Sequence, residues 1–129
     1  MMTIMISTHG HFGSYGQLLV FSDGEMIPLY ELIRPIQQKM DNRPILVFVQ
    51  CCRGKFNEAY ADEMCRSDAH KLVHIMRDTY FIYSSPAGNR AWRPKTSTQP
   101  SFFIDILAKN LKSFGQMEDL ESVSRRTIN

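Results

Sequence analysis

The sequence predicts an α/β fold in which a mostly parallel sheet is flanked by helices. Ile45-Leu46-Val47-Phe48-Val49 is an unbroken apolar run, which reads as a strand buried on both faces, as in a parallel sheet. Thr3 to Ser7 is a second short apolar run and a second buried strand. Between them, Leu29, Leu32, Ile33 and Ile36 recur at helical spacing. Strand, helix and strand in this order imply a right-handed parallel crossover.

Size and composition set the frame. The 129 residues make one domain at most. Apolar content of 43% and charged content of 22% are those of a soluble globular protein. A net charge of +2 points to neither nucleic acid nor a membrane surface. No apolar stretch approaches the roughly 18 residues of a membrane span. The opening Met1-Met2-Thr3-Ile4-Met5-Ile6-Ser7 lacks a charged n-region and is not read as a signal peptide. Cys51, Cys52 and Cys65 form an odd set with two members adjacent. That speaks against a disulfide framework and for a reducing compartment, hence a cytoplasmic location.

Taken in order, the first strand leads into Thr8-His9-Gly10. Gly10, Gly13 and Gly16 then space out a flexible loop. Gln17 to Phe21 reads as a second strand, and Ser22-Asp23-Gly24 as a turn, giving a small peripheral hairpin. A helix starts near Pro28, and Pro35 is expected to end or distort it early. Asp41-Asn42-Arg43-Pro44 is a loop before the central strand. Residues 55–68 are polar and aperiodic and read as an exposed, mobile linker. Thr79 to Ser85 is an aromatic-rich strand. Pro86-Ala87-Gly88 breaks it, and an irregular segment runs through Pro94 and Pro100. Ser101 is an N-cap. Phe103, Ile106, Leu107, Asn110, Leu111 and Phe114 line one face of the helix that follows, which Gly115 closes. A last amphipathic helix holds Leu120 and Val123.

The chemistry concentrates where the central strand ends, at Gln50-Cys51-Cys52-Arg53-Gly54. The carboxyl ends of strands are where an open α/β sheet places its reactive groups. A cysteine nucleophile must be partly thiolate and reachable. A neighbouring histidine can supply the base and later protonate a leaving amine. His9 lies 43 residues before Cys52, at the end of the first strand. Gly10 beside it lets a backbone amide approach a substrate with no side chain in the way. Successive strand residues face opposite ways, so only one of Cys51 and Cys52 can face His9.

Three segments in order carry a family resemblance. They are Ser7-Thr8-His9-Gly10, Gln50-Cys51-Cys52-Arg53-Gly54, and Tyr83-Ser84-Ser85-Pro86-Ala87-Gly88-Asn89-Arg90-Ala91-Trp92-Arg93 followed by Ser101-Phe102-Phe103-Ile104. The second is close to the Gln-Ala-Cys-[Arg/Gln/Gly]-Gly signature of caspases, which has its histidine roughly 50 residues upstream. The chain resembles the caspases, cysteine endopeptidases that cut after aspartate. The resemblance runs from about Ile4 to about Asn129.

It implies a caspase-like three-layer fold. Residues 1–54 would be the end of a large-subunit-like part, 55–78 a linker, and 79–129 a small-subunit-like part. Cys52 would be the nucleophile, with Cys51 in the place of a small buried residue. His9 would be the acid/base partner, and the backbone amides of Gly10 and Cys52 the oxyanion hole. Gln50 would be a substrate-binding residue, and Arg93 would meet the aspartate carboxylate of the substrate and run along its backbone, since guanidinium binds carboxylate bidentately. Trp92 would wall the neighbouring subsite, and Phe102, where the family usually has tryptophan, would border a more distant one. Asp68, and after it Asp62, would be processing points in the linker. Neither a metal nor another cofactor is implied, and the partners would be peptide or protein substrates in apoptosis or related proteolytic signalling.

The pattern also departs from the family. Its first two strands, the helix between them, a second aspartate-binding arginine and its last strand have no counterpart among these residues, and Arg90 replaces a commonly aromatic pocket residue. A second reading follows, in which the chain is a weakly active or inactive relative that binds another, full-length caspase chain.

Overall fold

The computed structural model describes residues 1–13, 16–41, 43–54, 77–92, 94 and 98–128. The chain divides into two compact units, Met1–Arg90 and Ala91–Asn129. In chain order the first unit holds β1 (Met2–Ser7), β2 (His9–Gly13), β3 (Gly16–Val20), β4 (Met26–Pro28), α1 (Leu29–Lys39), β5 (Ile45–Gln50) and β6 (Thr79–Tyr83). The second unit holds α2 (Phe102–Phe114) and α3 (Leu120–Ile128).

The predicted parallel sheet is present, with strand order β1-β5-β6. β5 lies in the middle and pairs in parallel with both neighbours. All six of its residues are buried, which is why its sequence is a continuous apolar run rather than an alternation. Each of its apolar side chains, Ile45 to Val49, contributes about 1.5–3 kcal/mol by leaving water. Ile45, Val47, Val49 and Cys51 share one core with Leu19, Leu29 and Ile33, and Ile4, Ile6, Phe81 and Tyr83 pack against it. Ser7 pairs with Gln50, so β1 and β5 end at the same level.

Two local expectations are corrected. Residues from His9 to Gly13 form a strand, not a flexible loop: β2 pairs antiparallel with β3 in the register Gly10–Leu19 and His11–Leu18. Pairing partners, not side-chain propensity, make this glycine-rich stretch extended. β3 also pairs with the three-residue β4, so the hairpin is a three-stranded antiparallel sheet. Pro35, in turn, lies inside α1, which continues to Lys39. An interior proline costs about 3 kcal/mol. Leu29, Tyr30 and Ile33 are buried on the same helix, and Ile36 and Met40 pack on the core. At about 1.5–3 kcal/mol per buried apolar side chain, the face outweighs the break.

In the second unit Ser101 caps α2 as expected, its hydroxyl accepting from the Ile104 N–H at 3.3 Å. Gly115 follows the helix with φ −61, so it closes α2 in a right-handed rather than left-handed conformation. Space explains the glycine: a Cβ there would sit 2.5 Å from the Leu111 carbonyl. Phe103 and Leu107 are buried, whereas Ile106 and Leu111 remain exposed, so the predicted apolar face is only partly covered. Asn110 on α2 donates to the Thr127 hydroxyl on α3 at 3.2 Å. Asp119 caps α3 by accepting from the Ser122 N–H at 2.9 Å.

Candidate active site

The site begins where β1 and β5 end together. The Thr8 N–H donates to the Gln50 carbonyl at 3.1 Å, one residue past the last pair of the sheet. His9 then opens β2, while Cys51 and Cys52 follow Gln50. Beyond that point the two chains continue side by side. The Phe12 N–H donates to the Gly54 carbonyl at 2.9 Å. A Cβ on Gly10 would lie 3.0 Å from the Cys52 carbonyl oxygen and 2.7 Å from Gln17 Nε2. Glycine is required at position 10 by this close approach of main chains.

Burial sorts the two thiols. Cys51 is 2% exposed and belongs to the core cluster. Cys52 is half-buried, and His9 is exposed. Of the two adjacent cysteines, Cys52 is the one within reach of solvent.

A third segment ties the cysteine turn down. The Arg53 N–H donates to the Asn89 carbonyl at 2.8 Å, and the Gly88 N–H donates to the Arg53 carbonyl at 2.7 Å. The Ser85 hydroxyl donates to the Cys51 carbonyl at 3.4 Å. These bonds join the turn after β5 to the turn after β6, so three strand ends meet at one place.

Arg53 packs between two rings. Its guanidinium carbon lies 3.8 Å from the Tyr83 ring centroid and 4.7 Å from that of Phe12. Its Nε donates to Gln17 Oε1 at 3.2 Å. Burial pushes the Tyr83 phenol above its ordinary value, and the Arg53 charge partly offsets this.

Gln50 is 1% exposed, and neither atom of its side-chain amide has a hydrogen-bond partner among the described residues. The Ser84 hydroxyl, just past β6, is also buried and unpartnered there. Two unpaired polar groups thus sit at the carboxyl ends of neighbouring strands. Such burial costs about 1–3 kcal/mol per group unless a polar atom reaches it.

A family model described as caspase domain matches residues 1–128. The chain belongs to the caspase family. It is 26% identical over 101 residues to caspase-1 of Mus musculus and 27% identical over 101 residues to caspase-1 of Rattus norvegicus. Each alignment covers 67% of this chain and 25% of the relative, so the chain spans about a quarter of the length of the curated relatives it matches. The three-strand meeting point therefore belongs to a caspase domain, a cysteine-peptidase fold.

Trp92 and Phe102 belong to the second unit and are 79% and 58% exposed. Neither is packed in a core. Arg93, Asp62 and Asp68 lie outside the described residues, as does most of the 55–78 linker. No group of three or more His, Cys, Asp or Glu able to hold a metal ion occurs among the described residues. None of the described helices is long and apolar enough to cross a membrane.

The sequence reading passed over Gln17. It is buried, and its amide touches both the histidine and the cysteine segments. The available signal was an amide residue opening the apolar run Gln17-Leu18-Leu19-Val20. A buried polar residue is the informative departure in such a run.

Proposed function

We propose that this caspase-family chain is a cysteine endopeptidase that cleaves after aspartate, with Cys52 as nucleophile and His9 as acid/base partner. The observation that carries the reading is the juxtaposition of Gly10 with Cys52 at the ends of the adjacent parallel strands β1 and β5. It brings the histidine-glycine segment and the cysteine to one place, as acyl transfer requires.

In this reading the Cys52 thiolate attacks the scissile carbonyl. The negative charge that develops on the carbonyl oxygen is held by the Gly10 and Cys52 N–H groups. His9 gives a proton to the leaving amine, and an acyl-enzyme remains on Cys52. His9 then takes a proton from water, which attacks the thioester and frees the new carboxylate and the thiol. Arg93 and Gln50 would receive the aspartate side chain, and the unpaired amide of Gln50 supports its part. Trp92 and Phe102, both exposed, would meet residues of the peptide before the aspartate.

A second reading has its own support. β1 and β6 each have one sheet neighbour among the described residues, and an open edge invites another strand. The chain would then bind a full-length caspase and modulate it in proteolytic signalling.

Paired reporter peptides ending in aspartate and in asparagine separate these readings. The first reading predicts release from the aspartate peptide alone, lost in Cys52→Ala. Equal signal from the wild type and Cys52→Ala excludes it. Co-purification with a full-length caspase that survives Cys52→Ala, without turnover, favours the second.

A further inference from the structure

Gln17 lies on β3, outside all three family-like segments, yet its side chain reaches both halves of the candidate site. Nε2 donates to the His11 carbonyl at 2.9 Å, the Leu18 carbonyl at 2.9 Å and the Cys52 carbonyl at 3.2 Å. Oε1 accepts from Arg53 Nε at 3.2 Å. The surroundings leave the amide one orientation. Three carbonyls demand the nitrogen on one side, and a guanidinium demands the oxygen on the other. The same nitrogen is the nearest atom to a Cβ placed on Gly10, at 2.7 Å. One buried amide therefore bonds to the strand that begins with His9, to the main chain of Cys52 and to the side chain of Arg53, beside the space that a side chain at Gly10 would need.

Arg53 extends the brace. Its Nη1 donates to the Ser85 carbonyl at 3.4 Å, and its guanidinium carbon lies over the Tyr83 ring. The line of contacts runs from β2 through Gln17 and Arg53 to the turn after β6.

We propose that Gln17 is a positioning residue that holds the Cys52 carbonyl, and with it the nucleophile, in register with the His9-Gly10 segment. The inference rests on the assignment of Cys52 and His9 made above. Gln17 meets the cysteine through its main chain and takes no part in proton transfer. Its loss leaves three carbonyls and a guanidinium without their shared partner, and the cysteine turn shifts relative to β2. Displacements near 1 Å cost on the order of a hundredfold in rate at such sites.

Two variants test this. Gln17→Met keeps the buried volume and removes both polar atoms. Gln17→Glu keeps an oxygen for Arg53 and, when ionised, removes the donor to Cys52. Each is compared with the wild type for melting temperature, for kcat and KM on the aspartate reporter, and for the rate of iodoacetamide alkylation at Cys52 mapped by mass spectrometry. Positioning predicts variants that melt lower but stay folded at the assay temperature, with kcat lower by about tenfold to a hundredfold and KM within about twofold. It also predicts slower alkylation of Cys52 in both variants. A wild type that cleaves nothing, but whose Cys52 alkylation still slows in both variants, sinks the peptidase reading and supports the brace. Folded variants with wild-type kcat and alkylation rate overturn the brace. Failure of both to fold makes Gln17 a residue of stability alone and overturns it as well.

Discussion

Gly10 and Cys52 touch through their main chains: a single added carbon on Gly10 would come within 3.0 Å of the Cys52 carbonyl oxygen. The contact joins two segments that the sequence keeps more than forty residues apart. It exists because β1 and β5 are parallel neighbours that end at the same level. Gly10→Ala forces that carbon against Gln17, Leu18 and Cys52. The expected cost is about 1–3 kcal/mol of stability, as for other overpacked buried sites. Aspartate-reporter turnover should fall with it, and denaturant unfolding beside kcat measures both effects.

The Tyr83 phenol has a second, pH-dependent consequence. Its folded pKa is raised above the ordinary value of about 10 by burial. A raised pKa means that the folded state holds the proton more tightly than the unfolded chain. Its contribution is therefore fully present below about pH 10 and is lost as pH rises through the higher folded value. Tyr83→Phe keeps the ring under Arg53 and removes the titration. Denaturation midpoints should converge in their pH dependence below pH 10, with the wild type falling more steeply above it.

Asp119 behaves in the opposite sense. The Ser122 N–H donates to its carboxylate, the Ser122 hydroxyl donates to the other oxygen, and the pair holds its pKa below the usual carboxylate range. The stability it contributes is present above the unfolded value near 3.9 and is lost as pH falls through the lower folded value. Asp119→Ala should therefore speed amide exchange in the first turn of α3 at neutral pH. The difference from wild type should vanish in strong acid.

Maturation supplies another prediction. Ser67-Asp68-Ala69 places a small residue after an aspartate in a polar stretch. Exposure to an active caspase should cut after Asp68, with Asp62 used second. Asp68→Ala should leave only the Asp62 product in the mass spectrum. An uncut chain after prolonged exposure contradicts it.

Sequence and structure agree where a signal is local. The run from Ile45 to Val49 announces a strand covered on both faces, and all six residues of β5 are buried. Ser101 announces its cap in the same way, through a hydroxyl three residues before the amide it accepts from. Agreement fails where a distant partner decides. His9 to Gly13 has two glycines and two histidines among five residues and no strand propensity, yet β3 pairs with all of it. Pro35 argues against a helix that Leu29 and Ile33 hold against the core.

The site divides along the same line. Alternation allowed only one of Cys51 and Cys52 to face His9, the family signature selected Cys52, and the core takes Cys51. Nothing local shows that Gln17 reaches Cys52, 35 positions away. That contact depends on how the antiparallel sheet is placed against β5, which no window of the sequence contains.

Covalent trapping tests the pairing of Cys52 with His9 most directly. An electrophilic ketone carrying an aspartate side chain is incubated with the wild type and with His9→Ala, and the modified cysteine is located by peptide mass mapping. The expected adduct is on Cys52 alone, forming about a hundredfold or more slowly in His9→Ala, in line with the usual worth of a general acid–base partner. Labelling of Cys51 or Cys65 in its place, or equal rates in the two proteins, contradicts the pairing.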